Sequence, residues 1–328
     1  MYSFSIITPV YKRHQEISEL LQSISLQDYK NFEVIIVDNS PDDSLSSIIL
    51  PYQRHIKLSY RFHKGFGVSE SRNLGVKYAT GDYVVFIDSD CILPPSYLNT
   101  VNDFLEVNPV DAYGGPDRAH ESFTPMQKAV SYAMTSFFTT GGIRGRKQHI
   151  GSYHPRSFNM GLRRDLFSEI GGFRGMKVSE DIDLSLRIYK AGKKVALIGE
   201  AFVYHKRRAT FDKFFRQVYA FGYGRYSLGK LHGEAVKPVH MMPSAFVIFL
   251  AAGLPALAFS PVLFRIWAFL LLAYFLLVLA DSTLRNRNVK AGFLSVAATM
   301  VMLTGYGLGM LKAAIRSVGH KEFDSENS

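Results

Sequence analysis

Three apolar runs in the last quarter of the 328-residue chain constrain its fold more than any other feature. They cover residues 244–260, 262–280 and 292–311, and each has about the length that an α-helix needs to cross a bilayer. A single run could be a buried core helix, but three in succession, with one arginine and no acidic residue, predict transmembrane helices. We therefore expect a soluble region followed by a membrane domain.

The connections between the apolar runs predict an orientation. Pro261 separates the first two runs, which we expect to form a helical hairpin. The loop 285–290 before the third run is basic, so the positive-inside rule places it, and the soluble region, in the cytoplasm. The third run would then carry basic residues outward, and either a third span or a re-entrant or interfacial helix remains open. We expect an integral membrane protein, in the cell or inner membrane if it is bacterial.

The segment 205–240, before the first apolar run, mixes Lys and Arg with Phe and Tyr. This composition predicts helices that lie on an anionic membrane surface, with aromatic rings inserted and basic groups at phosphates. An ordinary amphipathic core helix is the alternative. Although the chain carries a net charge of +10, its basic residues cluster beside apolar runs, which favours a membrane over nucleic acid as partner.

The first 200 residues alternate between strand-like and helix-like patterns. Apolar runs rich in β-branched and aromatic residues predict strands at 4–10, 32–38, 56–62, 83–88 and 193–199. Apolar residues at helical spacing predict helices at 14–27 and 66–79. This alternation predicts an α/β fold with a mostly parallel sheet, in which ligands bind at the carboxyl ends of strands. Asp38, Asp88 and Asp90 all fall at such ends.

Asp88 and Asp90 form an Asp-x-Asp pattern directly after a predicted strand. On an extended segment, residues two apart point the same way, and two like charges in a cleft are unfavourable without a counter-ion. A hard divalent cation such as Mg²⁺ or Mn²⁺ removes that repulsion and also binds phosphate oxygens. The pattern therefore indicates a metal–phosphate site, although many surface turns contain it.

Several segments, in order, carry a family resemblance. They are "SIITPVYKR" (5–13), "EVIIVDNSPDD" (33–43), "GVSESRNLGVKYATGDYVVFIDSD" (67–90), "FNMGLRRDLFSEIGGF" (158–173) and "SEDIDLSLRIYKAGKKV" (179–195). Together they resemble glycosyltransferase family 2, whose members are inverting enzymes that use nucleotide sugars. The resemblance implies the α/β GT-A fold, Rossmann-like with a mostly parallel sheet, followed here by C-terminal transmembrane helices.

The resemblance implies a donor site. Its nucleotide-sugar-binding residues would be Thr8, Pro9, Tyr11, Asp38, Arg72, Asp88 and Asn159. Asp38 would accept an N–H of the nucleobase, and Thr8, Pro9 and Tyr11 would wall the base pocket. Arg72 would lie near the diphosphate or the base, unless it forms a structural ion pair. Asn159, with Met160, would line the donor-sugar or acceptor site.

The resemblance also implies a metal site that uses Mg²⁺ or Mn²⁺. Its ligands would be Asp88, Asp90 and His205, with Asp90 as the direct ligand. A lone histidine is more often structural, which is the alternative for His205. Arg207 and Arg208 would meet the diphosphate or a lipid phosphate.

Glu180 and Asp181 are the catalytic residues that the resemblance implies. They begin a predicted helix, whose dipole favours ionised carboxylates in the first turn whatever their function. The resemblance assigns the general base to Asp181, which would take the proton of the acceptor hydroxyl in a single inverting displacement.

The expected function is metal-dependent transfer of one sugar, of hexosyltransferase type, from a UDP- or GDP-linked donor. The acceptor would be a polyprenyl phosphate or a lipid-linked glycan at the cytoplasmic membrane face, in glycan or polysaccharide assembly. We expect a catalytic domain at 1–204, interfacial helices at 205–240, a membrane domain at 241–315 and a polar tail at 316–328.

Two alternatives keep the same fold. One is a nucleotide or lipid-headgroup binding module without catalysis. The other is a processive polysaccharide synthase, which is disfavoured because the Gln-x-x-Arg-Trp pattern of such enzymes is missing: the only tryptophan is Trp267, in an apolar run. The sequence argues strongly against a dinucleotide-dependent oxidoreductase, because no G-x-G-x-x-G follows the first predicted strand.

Overall fold

A computed structural model of the chain describes residues 1–120, 122–141, 153–176, 178–206 and 208–325. The described residues divide into two compact units. The α/β unit contains those of 1–120 and 153–206, and the helical unit contains 122–141 and the residues from 208 onwards.

The strands all belong to the α/β unit. They are β1 (Phe4–Val10), β2 (Phe32–Asp38), β3 (Leu58–Phe62), β4 (Tyr83–Ile87), β5 (Cys91–Ile92), β6 (Ala112–Gly114), β7 (Asp117–Arg118), β8 (Asn159–Arg163), β9 (Val195–Leu197) and β10 (Val203–His205). A seven-stranded sheet has the order β3-β2-β1-β4-β8-β6-β9, and a three-stranded sheet has the order β5-β10-β7. In the larger sheet only β8 runs antiparallel to its neighbours, so the predicted mostly parallel α/β fold is confirmed.

Helices occur in both units. Those of the α/β unit are α1 (His14–Ser25), α2 (Ser46–Ile49), α3 (Val68–Lys77), α4 (Tyr97–Val107), α7 (Arg164–Glu169) and α8 (Glu180–Lys190). Those of the helical unit are α5 (Pro125–Thr135), α6 (Phe137–Thr140), α9 (Phe211–Leu231), α10 (Pro238–Phe259), α11 (Pro261–Asn286) and α12 (Val289–Ser325).

The sheet has an apolar layer on each face because the central strands β1 and β4 are mostly apolar and buried at every position. On β1, Ile6 belongs to the core beside α1, whereas its neighbour Ile7 belongs to the core beside α8. Successive side chains of a strand point to opposite faces, and strands buried on both faces read as continuous apolar runs. This pattern brings the carboxyl ends of β1, β2 and β4 to one edge, with Val10 paired to Asp38.

The helical unit contains the three predicted apolar runs as helices. α10, α11 and the part of α12 up to Ser317 are each long and apolar enough to cross a membrane. α10 and α11 form the predicted hairpin, in which the Trp267 indole donates to the Phe249 carbonyl at 2.8 Å. The number of helices that cross stays a prediction. The region expected to be a polar tail continues α12 as far as Ser325, and residues 326–328 lie outside the described residues.

Candidate active site

Asp38, the last residue of β2, is fully buried and held from two sides. The backbone N–H of Ser40 donates to one carboxylate oxygen at 2.9 Å, and the Tyr60 hydroxyl donates to the other at 2.7 Å. Burial, together with hydrogen bonds to Asp43 and Asp38, raises the pKa of Tyr60 well above its ordinary value. Because Tyr60 stays protonated, Asp38 remains an acceptor, and a carboxylate still has lone pairs for a ligand N–H.

Of the three residues predicted to wall the base pocket, only Tyr11 is exposed. Thr8 and Pro9 are buried within β1, whereas Tyr11 follows the end of that strand and is 52% exposed. The hydroxyl of Thr8 is buried without a hydrogen-bond partner in the described part of the chain. Tyr11 therefore offers a ring at the same sheet edge as Asp38, while Pro9 belongs to the strand interior.

Arg72 joins the end of β4 to the start of α8. Its guanidinium lies 2.8 Å from Asp88 Oδ1 and 2.9 Å from Glu180 Oε1, and the residue is 2% exposed. Burial and the nearby charge of Asp181 raise the pKa of Glu180, and Arg72 opposes that rise. Both guanidinium nitrogens therefore bridge carboxylates from different elements, which is the ion pair that the sequence left open for Arg72.

Asp90 is buried between two basic side chains. Arg13 forms an ion pair with its Oδ2, and His205 Nε2 lies 3.3 Å from its Oδ1. Burial acts to raise the pKa of Asp90, but His205 and Arg13 hold it well below its ordinary value. The Asp90 carboxylate is therefore ionised at neutral pH, and it lies between the guanidinium of Arg13 and the imidazole of His205.

Asp181 lies in the first turn of α8, which begins at Glu180 as predicted. One of its oxygens accepts from the backbone N–H of Ile182 at 2.8 Å and lies 3.7 Å from Arg156. The residue before the helix, Ser179, has a left-handed backbone with φ of 68°, an uncommon conformation for a residue with a side chain. This tight entry turn places both acidic residues at the helix N-terminus.

Comparison with known proteins agrees with this arrangement. Residues 5–171, more than half of the chain, match the profile of Glycosyl transferase family 2. The chain belongs to glycosyltransferase family 2. An uncharacterized glycosyltransferase of Haemophilus influenzae is 36% identical over 190 residues, which is 56% of this chain and 61% of that protein. One of Rickettsia conorii is 34% identical over 104 residues, and that match spans 32% of this chain and 17% of the relative.

A solved structure shares the fold over nearly the whole length. It is the mannosyltransferase PcManGT from Pyrobaculum calidifontis in complex with GDP-Man and Mn²⁺. The match has a TM-score of 0.67 and 19% identity, and it covers 91% of this chain and 87% of the other. The GT-A fold that the resemblance implied is therefore confirmed for this family-2 chain.

The expectation that Asp88 and Asp90 lie on an extended segment is wrong. The backbone N–H of Cys91 donates to the Asp88 carbonyl at 3.0 Å, which closes a turn instead of continuing the strand. Asp88 therefore contacts Arg72, while Asp90, Cys91 and His205 bring one potential ligand atom each within 4.8 Å of one another. The role of Asp88 as a metal ligand stays a prediction.

The side chain of Asn159 is engaged within the fold. It accepts from the Tyr97 hydroxyl at 2.6 Å and donates to the Ala201 carbonyl at 2.8 Å, and it is fully buried. These bonds tie β8 to α4 and to the turn before β10. Its neighbour Met160 is also fully buried, so a role of either residue in lining a sugar site stays a prediction.

Sequence reasoning gave no role to Arg13, Tyr60 and Arg156. Arg13 follows the carboxyl end of the first predicted strand, and a basic residue there could have indicated a partner for the acidic residues at the neighbouring strand ends. Tyr60 and Arg156 carried no such signal, because strand pairing and tertiary contacts bring them to the acidic residues. The predicted phosphate ligand Arg207 lies outside the described residues, and Arg208 belongs to the helical unit.

Proposed function

We propose that this chain transfers one hexose from a UDP- or GDP-linked donor to a polyprenyl phosphate or lipid-linked glycan, with inversion at the anomeric carbon. The observation that carries the proposal is the bridge by Arg72 between Asp88 and Glu180. Such a reaction needs a donor site at the strand ends and a base beside it. The bridge supports both requirements, because one guanidinium contacts Asp88 at the end of β4 and Glu180 at the start of α8, beside the proposed base.

In the proposed reaction with a glycan acceptor, Asp181 takes the proton of the attacking hydroxyl while that oxygen bonds to the anomeric carbon. A polyprenyl phosphate attacks instead through an ionised phosphate oxygen, which has no proton for a base to take. The bond from this carbon to the diphosphate oxygen breaks, and its electron pair leaves with the nucleoside diphosphate. Glu180 remains paired with Arg72, so we assign the proton transfer to its neighbour. Asp38 and Tyr11 would bind the base at the edge where β1 and β2 end.

We propose that Asp90 and His205, with Asp88 as a further candidate, hold Mg²⁺ or Mn²⁺. The fit is supported by His205 Nδ1, a buried atom without a hydrogen-bond partner among the described residues, and by Asp90 Oδ1, which lies 3.3 Å from His205 Nε2. A divalent ion bound there neutralises negative charge on the leaving diphosphate. The solved relative with GDP-Man and Mn²⁺ gives this proposal further support.

The proposed acceptor is a membrane lipid because three helices are long and apolar enough to cross a bilayer. We propose that the α/β unit, which makes up most of the catalytic domain predicted at residues 1–204, faces the cytoplasm, that residues 205–240 lie at the membrane surface and that residues 241–315 are embedded. The basic loop between α11 and α12 supports this orientation.

The test is a transfer assay on the full chain in lipid nanodiscs, with UDP- and GDP-linked hexoses, a polyprenyl phosphate or a lipid-linked glycan as acceptor, and added Mn²⁺ or Mg²⁺. Nucleoside diphosphate release and the mass of the lipid product are measured together. With the glycan acceptor, we expect Asp181→Asn to lower turnover about 10²–10⁴-fold, the contribution of a general base, while donor binding is retained. Asp212→Asn, at an exposed residue of α9, is the control and should leave turnover unchanged.

The same assay separates the alternatives. A product carrying one added sugar supports the proposal, and a ladder of lengths would indicate a processive synthase. Donor binding without turnover in the wild-type protein would indicate a binding module. Unchanged turnover of the glycan acceptor in Asp181→Asn would reject the assigned base, and chelation with EDTA should abolish transfer if the metal is required.

A further inference from the structure

The stretch between β7 and β8 contains a segment that sequence analysis left in the soluble region. Residues 122–141, here called the insertion segment, form α5 and α6 and cluster with the helical unit. We propose that the insertion segment is embedded in the membrane interface and that Phe137 and Phe138 insert into the acyl-chain region of the bilayer. This inference does not depend on the proposed reaction.

The first observation is how α5 packs. Ala129, Val130, Ala133 and Met134 are buried in one cluster with Ala298, Met302 and Leu303 of α12. These α12 residues lie within the apolar run 292–311. α5 therefore packs against the helix that carries the third apolar run, and it belongs to the helical unit and not to the α/β unit.

The second observation is the path of the insertion segment along α11. The Tyr132 hydroxyl donates to Asp281 at 2.7 Å, and the Tyr274 hydroxyl donates to the Phe138 carbonyl at 3.2 Å. Asp281 lies near the polar end of α11, which carries Arg285, and Tyr274 lies seven residues earlier. Seven helical residues span about 10 Å, so the segment runs inward from the polar end into the apolar part of α11.

The third observation is how α6 satisfies its polar groups. The hydroxyls of Thr139 and Thr140 donate to the Ser136 carbonyl at 3.0 and 2.9 Å. The backbone N–H groups of Phe138 and Gly141 also have partners within the segment, the Ser136 hydroxyl at 3.3 Å and the Phe137 carbonyl at 2.9 Å. Apolar surroundings require such internal satisfaction, since no water is available to replace it.

The fourth observation is exposure. Phe137 and Phe138 are 52% and 41% exposed, although they adjoin a segment whose polar groups are paired internally. The helix that Phe138 contacts, α11, also exposes large apolar side chains, among them Phe269, Leu270 and Leu277. A bilayer covers both surfaces at once. Interfacial segments insert their apolar side chains about 5–10 Å, in agreement with the path along α11.

Single tryptophans test the proposal because Trp267 is the only native one. Phe137→Trp and, separately, Phe138→Trp are made in a Trp267→Phe background, and the full chain is reconstituted in phosphatidylcholine brominated at shallow or deep acyl positions. We expect each new tryptophan to lose about half of its emission or more, most strongly with shallow bromines. Thermal melting shows whether each variant is folded. If only one of the two variants folds, its quenching alone is sufficient to test the proposal.

Two controls fix the range of the measurement. Wild-type Trp267, in α11, should be quenched by brominated lipid, and Tyr78→Trp in the Trp267→Phe background should not, since Tyr78 belongs to the α/β unit and is 40% exposed. Quenching of Trp267 without quenching at 137 and 138 would overturn the proposal and indicate cover by protein, such as a second copy. Absence of quenching at Trp267 would overturn both the proposal for the insertion segment and the membrane insertion of α11. It would leave the proposed transfer reaction untouched.

Discussion

The α/β unit and the helical unit differ in what they bury. In the α/β unit, Asp183 is completely buried and paired with Arg187 at 2.8 Å, and Arg72 is buried between two carboxylates. In the helical unit, buried polar contacts include the Ser282–Ser295 hydroxyl pair at 2.7 Å, and helix backbones meet at glycines such as Gly222. Charges can be buried where a rigid fold fixes their partners, whereas helices suited to apolar surroundings associate through small residues.

The sharpest way to break this comparison is to remove a buried charge. Asp183→Ala leaves Arg187 without its carboxylate in the interior, which we expect to destabilise the chain by about 3–5 kcal/mol. Denaturant unfolding followed by circular dichroism measures the loss. Asp212→Ala is the matched control, since Asp212 and Arg216 form an exposed pair with the same helical spacing, and it should cost less than about 1 kcal/mol. Equal losses in the two variants would contradict the contrast.

The second test concerns close packing in the helical unit. A Cβ added at Gly222 would lie 2.0 Å from the Tyr306 carbonyl oxygen, so Gly222→Ala must push α9 away from α12. We expect a loss of about 1–3 kcal/mol, measured as a lower melting temperature in detergent. A Cβ at Gly233 would meet nothing within 4 Å, so Gly233→Ala is the control that should leave melting unchanged. Tolerance of alanine at 222 would show that the two helices do not need this contact.

The smallest effect concerns pH. Burial acts to raise the pKa of Glu33, but hydrogen bonds from Lys57, Thr80 and Ser5 lower it from 4.5 to about 2. Because the folded pKa lies below the unfolded one, this stabilisation is present above about pH 4.5 and is lost as the pH falls towards 2. Allowing for solvent screening of exposed Lys57, we expect Glu33→Gln to cost about 1–2 kcal/mol at neutral pH.

The pH test compares unfolding of wild type and Glu33→Gln between neutral pH and pH 2. The difference should shrink on acidification. Glu169→Gln, at a more exposed carboxylate, should show a smaller difference throughout. A constant difference across the range would show that Glu33 acts through packing and not through its charge.

Local pattern alone determined five of the ten described strands, several of the helices and the approximate position of the site. Apolar runs such as 83–88 predict buried strands because a strand covered on both faces has little room for polar side chains, and β4 matches that run apart from its last residue. The acidic start of α8 was equally visible, because capping and dipole effects depend on neighbouring residues.

Tertiary structure alone decided the partners of the charged groups and the placement of 122–141. Arg72 contacts Glu180 across 108 positions of sequence, and no local pattern records such a pairing. A turn follows Asp88, where the sequence had predicted an extended segment up to Asp90. The insertion segment lacks an apolar run long enough to signal a membrane, and only its packing beside α11 and α12 shows where it lies. The physical reason is that periodicity encodes burial within one element, whereas pairing between distant elements depends on how the whole chain packs.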